Sequence, residues 1–299
     1  MTPPVASTRV CEAMSRGVPH AGPTTRVDQI VQVLLQRDLD GLPIVDGGGV
    51  IIGFASRTDL LRVLWLRGET EAEALLGAWL RVVLEDDALI NSTERVHRTP
   101  LFEVLPPRVI KLAEGAGMLE AAELLTHARL WQVPVLTEDR RPVGVLSALD
   151  VLEWVRGEPA FGGMRTAPAA RLPARGPLGI DPATPLGAVA DVLVDWRVRA
   201  IPVIGPGRRY LGIVEDGELL RRGAGRPSSR AADVMREGGP TLPAGATLQD
   251  ALELLLRERA LQVPLLGPDG RVVNVVSALG LLEWCLARWP APGDRRHAR

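Results

Sequence analysis

Two pairs of residues place a hydroxyl and a carboxylate three positions apart, a spacing that could bind a sugar and a phosphate. Ser56 and Asp59 form the first pair, with Thr58 between them, and Ser147 and Asp150 form the second. Each pair follows an apolar run and opens a helical pattern, where free backbone N–H groups suit an anion. A carboxylate one turn into the helix could accept hydrogen bonds from both hydroxyls of a ribose.

The same residue types also cap helices, so a purely structural role is the alternative interpretation. Ser, Thr and Asp are all favoured at a helix N-terminus, and one such pair alone would favour capping. Two intact pairs in one half of the chain favour a binding site instead. Gly53 and Gly144, three residues before the serines, would then let a ligand lie against bare backbone.

Both pairs belong to an internal repeat that organises the whole chain. Residues Gln132 to Trp154 return as Gln262 to Trp284 with 14 of 23 residues identical. Looser copies surround Pro43 and Pro202, and a Gly or Asn follows each of the four prolines by ten residues. A fixed offset that occurs four times indicates four copies of one structural unit.

Each copy has the same predicted elements. An amphipathic helix is followed by a short apolar strand, a turn rich in Gly, Pro and Asp, a second strand and a second helix. A short strand is expected before the first helix, which gives a β-α-β-β-α unit of the α+β class. One sheet with helices on one face cannot bury its core alone, so each unit should pack against another copy.

The chain therefore divides into repeats and connecting segments. We place repeat one at residues 1–64, repeat two at 108–156, repeat three at 178–224 and repeat four at 225–289. Residues 65–107 form an inserted helical segment, and 157–177 form a linker rich in Gly and Pro. An apolar stripe along 72–84 would pack on its own module or provide a face for self-association.

The residues from Leu42 to Leu64, LPIVDGGGVIIGFASRTDLLRVL, resemble the cystathionine-β-synthase (CBS) domain, and so do the other three copies. The resemblance covers nearly the whole chain except the insert and the linker. It implies tandem CBS repeats paired into two Bateman modules, whose clefts in many family members bind AMP, ADP, ATP or S-adenosylmethionine. It also implies that Asp59 and Asp150 bind ribose and that Ser56 and Ser147 contact phosphate or ribose.

The resemblance marks one further position, 23 residues before each proline, which opens the cleft beside adenine in family members. Here it holds His20 in repeat one and Lys111, the only lysine of the chain, in repeat two. A cation at this place could meet a phosphate. A solvated side chain at the end of a strand is the alternative.

The C-terminal pair of repeats departs from the pattern. Repeat three has Glu215 and Glu218 in place of the Ser and Asp, which puts two carboxylates where a phosphate should approach. Repeat four keeps Ser277 but has Gly280 in place of the carboxylate. We therefore expect a nucleotide to bind in the N-terminal pair.

Composition excludes several classes of function. The net charge is −1, so no basic field attracts nucleic acid, and no apolar run approaches the length of a membrane span. Two cysteines far apart in sequence suggest a reduced, cytoplasmic protein, and no histidine or cysteine spacing predicts a metal site. No nucleophile motif is visible, so we expect neither an enzyme nor a bound cofactor.

The sequence thus predicts a stand-alone regulatory or sensory protein that binds an adenosine ligand in the cleft between repeats one and two. An effector protein, which the sequence does not identify, would respond to ligand binding. A homodimer is expected through the apolar stripe of the insert. The alternative is a ligand-free CBS scaffold for protein–protein interaction or dimerisation. In architecture, repeat one should pair with repeat two and repeat three with repeat four.

Overall fold

The computed structural model describes residues 8–65, 109–222 and 229–290. Each repeat contains an antiparallel hairpin with one helix before it and one after it, as the repeat pattern predicts. Repeat one contains α1 (Val10–Ala13), β1 (Ser15–Arg16), α2 (Val27–Gln36), β2 (Gly41–Val45), β3 (Ile51–Ser56) and α3 (Arg57–Trp65). Repeat two contains β4 (Leu112–Ala113), α4 (Met118–His127), β5 (Gln132–Leu136), β6 (Pro142–Ser147) and α5 (Ala148–Arg156).

The C-terminal half has the same order of elements. Repeat three contains α6 (Leu186–Asp195), β7 (Ala200–Ile204), β8 (Tyr210–Glu215) and α7 (Asp216–Arg222). Repeat four contains β9 (Arg236–Glu237), β10 (Leu242–Pro243), α8 (Leu248–Arg257), β11 (Gln262–Leu266), β12 (Val272–Ser277) and α9 (Ala278–Leu286). Within the described residues, no helix is both long enough and apolar enough to cross a bilayer.

The four hairpins agree in register as well as in sequence. In β2–β3, Gly41 pairs with Ser56 and Ile44 with Gly53, and a bulge follows Ile44. The other three hairpins have the bulge at the equivalent place. The predicted short strand before each first helix is also present and pairs in parallel with the first hairpin strand. It is β4 in repeat two and β10 in repeat four, and a single bridge in repeats one and three. The β-α-β-β-α unit is therefore confirmed in all four repeats.

The segment that leads into a repeat lies along its neighbour in the pair. β1 of repeat one pairs antiparallel with β6 of repeat two, and β9 of repeat four pairs with β8 of repeat three. A Cβ on Gly144 would lie 2.6 Å from the carbonyl oxygen of Ser15, so only glycine fits beneath this crossing. In repeat four Asn274 stands at the equivalent position, and its Nδ2 donates to the carbonyls of Ala170 and Leu172, at 3.1 and 2.8 Å.

Repeats one and two also meet through their hairpins, and so do repeats three and four. Gln132 Oε1 accepts a hydrogen bond from the Gly41 N–H at 2.9 Å. The equivalent Gln262 Oε1 accepts from the N–H groups of Arg199 and Ala200 at 2.8 and 3.1 Å. These buried glutamines satisfy strand-start N–H groups of the neighbouring repeat. The two Bateman modules are therefore repeats one with two and three with four, as predicted.

The helices join the modules crosswise, so every repeat has two neighbours. Leu34 and Leu61 of repeat one share a core with Leu193 and Leu219 of repeat three. A second core joins repeats two and four, with Leu125 of α4 in the same cluster as the apolar residues of α9. The sheets thus build each module, and the helices hold the two modules together.

The connecting segment 157–177 is more ordered than predicted. It forms two 3-10 turns, Pro159–Arg165 and Ala169–Arg171. Phe161 and Met164 are 3% and 1% exposed because they fill the core between repeats two and four. The expectation of a surface linker is corrected for these residues, since apolar side chains among the Gly and Pro residues anchor the segment. The apolar stripe of the insert lies outside the described residues.

Candidate functional site

Each predicted Ser–Asp pair closes a reciprocal cap at the start of a second helix. In repeat two, Asp150 Oδ2 accepts from the Ser147 N–H at 2.8 Å and from the Ser147 hydroxyl at 2.7 Å. The Asp150 N–H donates in turn to Ser147 Oγ at 3.1 Å. Ser56 and Asp59 repeat the arrangement at the start of α3. Capping is therefore a real role of these residues.

The caps leave half of each carboxylate available. All the hydrogen bonds of Asp59 and Asp150 that involve their side chains use Oδ2. Among the described residues, neither Oδ1 atom has a hydrogen-bond partner, and both side chains are only partly buried. The cap therefore orients the carboxylate without using its capacity to bind a second group.

A third cap of the same geometry shows what the environment adds. Asp250 Oδ2 accepts from the N–H and the hydroxyl of Thr247, both at 2.8 Å, at the exposed start of α8. These hydrogen bonds lower the pKa of Asp250. The pKa of Asp150 is instead raised, because burial outweighs its hydrogen bonds to Ser147. The same cap is thus solvated in one place and desolvated in the other.

Asp59 and Asp150 lie in two different clefts. The Asp59 cleft has a volume of about 260 Å³, and the Asp150 cleft about 350 Å³. Ser56 and Thr58 line the Asp59 cleft, and Ser147 lines the Asp150 cleft. The apolar wall of the Asp59 cleft comes from Phe54, Ile110, Leu130 and Trp131.

The Asp59 cleft is strongly positive. Five arginines and two carboxylates are among the described residues that line it. Arg62 and Arg129 form no ion pair or side-chain hydrogen bond with another described residue. Arg197 of repeat three enters the same cleft, and its Nη1 donates only to the Ala128 carbonyl at 2.8 Å. Within the described part of the chain, three guanidinium groups here are therefore free of carboxylate partners.

The backbone at Arg129 and Arg197 is unusual. Both residues follow a helix in the left-handed region, with φ of 53° and 51°. Gly or Asn is the usual choice at this position because other side chains cost about 1 kcal/mol or more there. Arg259 occupies the same position of repeat four, five residues before the repeat proline, and Asp38 that of repeat one. The left-handed residue therefore belongs to the repeat itself and is not specific to the Asp59 cleft.

The Asp150 cleft has a different balance. Five arginines and six carboxylates are among its described lining residues. Its left-handed Arg259 pairs with Asp38 at 3.5 Å, and Arg236 pairs with Glu215 at 2.8 Å. The cleft is therefore polar and nearly balanced, with most of its guanidinium groups already paired.

A buried charge cluster separates the clefts. Arg57 of repeat one and Asp216 of repeat three are an ion pair at 3.5 Å, with side chains 7% and 2% exposed. Arg199 of repeat three pairs with both Asp216 and Asp40 of repeat one. Burial opposes the charge of Arg199, but the carboxylates of Asp216 and Asp40 raise its pKa above the ordinary value. The cluster is charged and spans the contact between the modules.

Several predicted site residues lie away from both clefts. His20 and Lys111 are exposed, and neither is among the described residues that line the two clefts. Gly53 and Gly144 do not line them either. At Gly144 the structure corrects the expectation of a ligand against bare backbone, because Ser15 and Met14 occupy that space. Ile110, beside Lys111, is the residue from this segment that reaches the Asp59 cleft.

The C-terminal substitutions are held in local interactions. Glu218 pairs with Arg221 at 3.0 Å. Ser277 Oγ accepts from the Gly280 N–H at 3.1 Å, a cap without the carboxylate. Neither Glu218 nor Ser277 lines the Asp59 or the Asp150 cleft.

Known proteins share this architecture. MJ1225 from Methanocaldococcus jannaschii superimposes with a TM-score of 0.76 at 17% identity, covering 93% of this chain and 99% of that one. An uncharacterized conserved protein from Pyrococcus horikoshii superimposes with a TM-score of 0.58 at 16% identity. That match covers 93% of this chain and 99% of the Pyrococcus protein. Both likenesses concern the fold alone.

A sequence relative covers less. The chloroplastic CBS domain-containing protein CBSX2 of Arabidopsis thaliana is 24% identical over 135 residues, which is 44% of this chain and 55% of CBSX2. The chain therefore spans about half the length of that relative. The CBS domain matches four times, at residues 10–66, 102–157, 169–225 and 231–287, the third copy beginning within the segment predicted as a linker. With these four matches over most of its length, the chain belongs to the CBS domain family.

Proposed function

We propose that this chain is a stand-alone regulatory protein that binds an adenosine nucleotide in the Asp59 cleft. The observation that carries the proposal is the combination in one cleft of an apolar wall, an oriented carboxylate and arginines that have no carboxylate partner among the described residues. Small-molecule sites are mostly apolar with a few placed polar groups. A nucleotide has the complementary parts, namely a flat base, a diol and an anion.

The base would lie against Phe54, Ile110 and Trp131. Trp131 is 6% exposed, and its buried Nε1 has no hydrogen-bond partner among the described residues. Because Nε1 is enclosed by protein, Trp131 would contribute apolar contact to the base and not a hydrogen bond.

The ribose would bind Asp59 through Oδ1. The cap with Ser56 holds Oδ2 and fixes the side-chain rotamer, so little conformational entropy is lost on binding. A hydrogen bond to a charged acceptor contributes about 1.5–3 kcal/mol when it is desolvated. Asp59 would therefore supply a large share of the binding free energy.

The phosphate would bind Arg129 and Arg197, in place of the serine and helix start predicted from the sequence. The Asp59 carboxylate already accepts from the Ser56 N–H at 3.2 Å, and its charge would repel a phosphate at that position. The two arginines have no carboxylate partner among the described residues and can contact phosphate oxygens in bidentate fashion. The excess of positive charge favours AMP, ADP or ATP over S-adenosylmethionine, whose sulfonium is cationic.

Such a ligand would report on the contact between the modules. Arg197 belongs to repeat three, whereas Asp59 belongs to repeat one and Arg129 to repeat two. A nucleotide that contacts all three would stabilise the arrangement that brings them together, and that arrangement would in turn raise the affinity. This coupling supports a regulatory role.

Titration calorimetry on the full chain with AMP, adenosine and S-adenosylmethionine tests the proposal. AMP should bind about tenfold or more tightly than adenosine, because two charged contacts are added, and added salt should reduce the difference. S-adenosylmethionine should bind more weakly than AMP. Absence of binding by all three ligands would instead support the ligand-free scaffold.

A further inference from the structure

Two positions in each repeat are held together by one backbone hydrogen bond. The first residue of the second helix donates its N–H to the residue three before the repeat proline. The four hydrogen bonds are Arg57 to Asp40 at 2.9 Å, Ala148 to Trp131 at 2.8 Å, Asp216 to Arg199 at 2.9 Å and Ala278 to Leu261 at 2.9 Å. The positions are therefore equivalent in all four repeats.

The side chains at these positions follow a pattern. Repeat one has an acid and then a base, Asp40 and Arg57, whereas repeat three has a base and then an acid, Arg199 and Asp216. Repeats two and four have apolar residues at both positions, namely Trp131, Ala148, Leu261 and Ala278. The charges of repeats one and three are thus inverted relative to each other, and the helices of these two repeats pack together.

The ion pairs join equivalent positions across the contact. Arg199 Nη1 pairs with Asp40 Oδ1, and Arg57 Nη1 pairs with Asp216 Oδ1. Asp216 also pairs with Arg199 within repeat three. We refer to Asp40, Arg57, Arg199 and Asp216 as the charge quartet. If two copies of repeat one met in the same way, Asp40 would face Asp40 and Arg57 would face Arg57.

Stability alone is a weak reason for such a quartet. Desolvation of buried ion pairs offsets much of their attraction, and apolar residues of similar volume often stabilise a protein as well or better. The contact of repeats two and four shows that apolar residues do serve at these positions. Leaving one buried charge without its partner, in contrast, is strongly unfavourable.

We propose that the charge quartet selects the partner of repeat one, admitting repeat three and rejecting a like repeat from a second chain. The apolar contact of repeats two and four has no such discrimination, because apolar surfaces accept one another without regard to sign. Selection is therefore concentrated in one of the two contacts. Its consequence is that the two modules close on each other within one chain.

Charge reversal in the full chain tests the complementarity. Asp40→Arg places an arginine against Arg199, and Arg199→Asp places a carboxylate against Asp40. Each single variant should lower the midpoint of thermal unfolding by about 10 °C. Arg199→Asp also places a carboxylate against Asp216 of its own repeat, so the double variant should recover only the part of the loss that arises at the contact with position 40, and it should be more stable than Arg199→Asp alone. Asp139→Arg, an exposed reversal of the same net charge in a turn, should change the midpoint little. A double variant no more stable than Arg199→Asp would overturn the proposal.

Mixing the two single variants, Asp40→Arg and Arg199→Asp, tests selection itself. In the mixture, the arginine introduced into the first variant can meet the aspartate introduced into the second, while the native Arg199 of the first meets the native Asp40 of the second. After joint refolding, size-exclusion chromatography should show a one-to-one dimer that neither variant forms alone. Mixed chains that stay monomeric would show that repeat one does not choose its partner by charge.

Discussion

The Asp59 and Asp150 clefts are built on the same cap and differ in what surrounds it. Both present a carboxylate whose Oδ2 is held by a serine and whose Oδ1 has no hydrogen-bond partner among the described residues. Around Asp59 three arginines lack carboxylate partners in the described part of the chain. Around Asp150 six carboxylates accompany five arginines among the described lining residues. A shared motif therefore does not imply a shared ligand, because the motif supplies orientation and its neighbours supply the electrostatics.

Part of the difference lies at one position of the repeat. The left-handed residue after the first helix is Arg129 or Arg197 at the Asp59 cleft, but at the Asp150 cleft Arg259 meets Asp38. An Asp in repeat one where the other repeats have Arg converts a free cation into an ion pair. This position therefore accounts for part of the difference in charge between the clefts, and the larger number of carboxylates around Asp150 accounts for the rest.

The largest effect on AMP binding should come from removing the Asp59 carboxylate. Asp59→Ala should weaken AMP binding tenfold or more, because the ribose loses a charged acceptor. Asp150→Ala should change the affinity less than about threefold, since its cleft is polar and most of its cations are already paired. Titration calorimetry with AMP on both variants and the parent measures the difference.

Capping needs a control of its own, and Asp250 provides it. Asp250→Ala removes a cap of the same geometry, which should cost about 0.5–2 kcal/mol of stability and leave AMP affinity unchanged. If Asp150→Ala lost as much affinity as Asp59→Ala, the two clefts would be equivalent and the comparison wrong. Loss of affinity in Asp250→Ala would attribute the effect to stability.

Local patterns of the sequence were enough to predict the repeat and its elements. The spacing from Pro43 to Gly53, Ser56 and Asp59 placed the hairpin and the start of α3 correctly. The caps were visible too, because a Ser followed three residues later by Asp is a local signal. The left-handed backbone of Arg129 and Arg197 and their common cleft, in contrast, depend on tertiary structure.

Contacts between distant segments were not predictable in the same way. Asp40 and Arg199 are 159 residues apart, and no local pattern indicates that they meet. Gly144 was interpreted as an approach for ligand, yet it accommodates Ser15 from the start of the chain. A comparison of equivalent positions among the repeats could have found the charge inversion, since Asp40 and Arg57 stand where repeat three has Arg199 and Asp216.

A smaller effect should separate the arginines of the two clefts. Arg129→Gly relieves the left-handed backbone and should raise stability by about 1 kcal/mol. It should nevertheless weaken AMP binding about fivefold and leave adenosine binding unchanged, because only the phosphate contact is lost. Chemical denaturation and calorimetry together measure both quantities.

Arg259→Gly is the matched variant in the other cleft. It relieves the same left-handed backbone, at φ 49°, and removes the ion pair with Asp38. Because Arg259 is already paired with Asp38 and is not one of the proposed phosphate contacts, AMP affinity should stay within about twofold of the parent value. Equal loss of AMP affinity in both variants would place the phosphate between the clefts and would contradict the assignment to the Asp59 cleft.

The smallest effect is a difference in the pH dependence of stability between Asp150 and Asp250. Burial raises the pKa of Asp150 above 3.8, so its protonated form is favoured in the folded state. Its contribution to stability is present below pH 3.8 and is lost as the pH rises through the folded pKa. For Asp250 the hydrogen bonds from Thr247 lower the pKa, so its contribution is present above pH 3.8 and is lost as the pH falls through the folded pKa.

The two carboxylates should therefore show opposite slopes. We expect the free energy of unfolding of the parent, relative to Asp150→Asn, to fall as the pH rises from about 3.5 to 6. Relative to Asp250→Asn it should rise with pH in the window that ends at pH 3.8 and lies mostly below it. Each slope is bounded by about 1.4 kcal/mol per pH unit, the value for one proton. Parallel curves for both variants would mean that the Asp150 cleft does not desolvate its carboxylate, and the contrast between a solvated and a desolvated cap would fail.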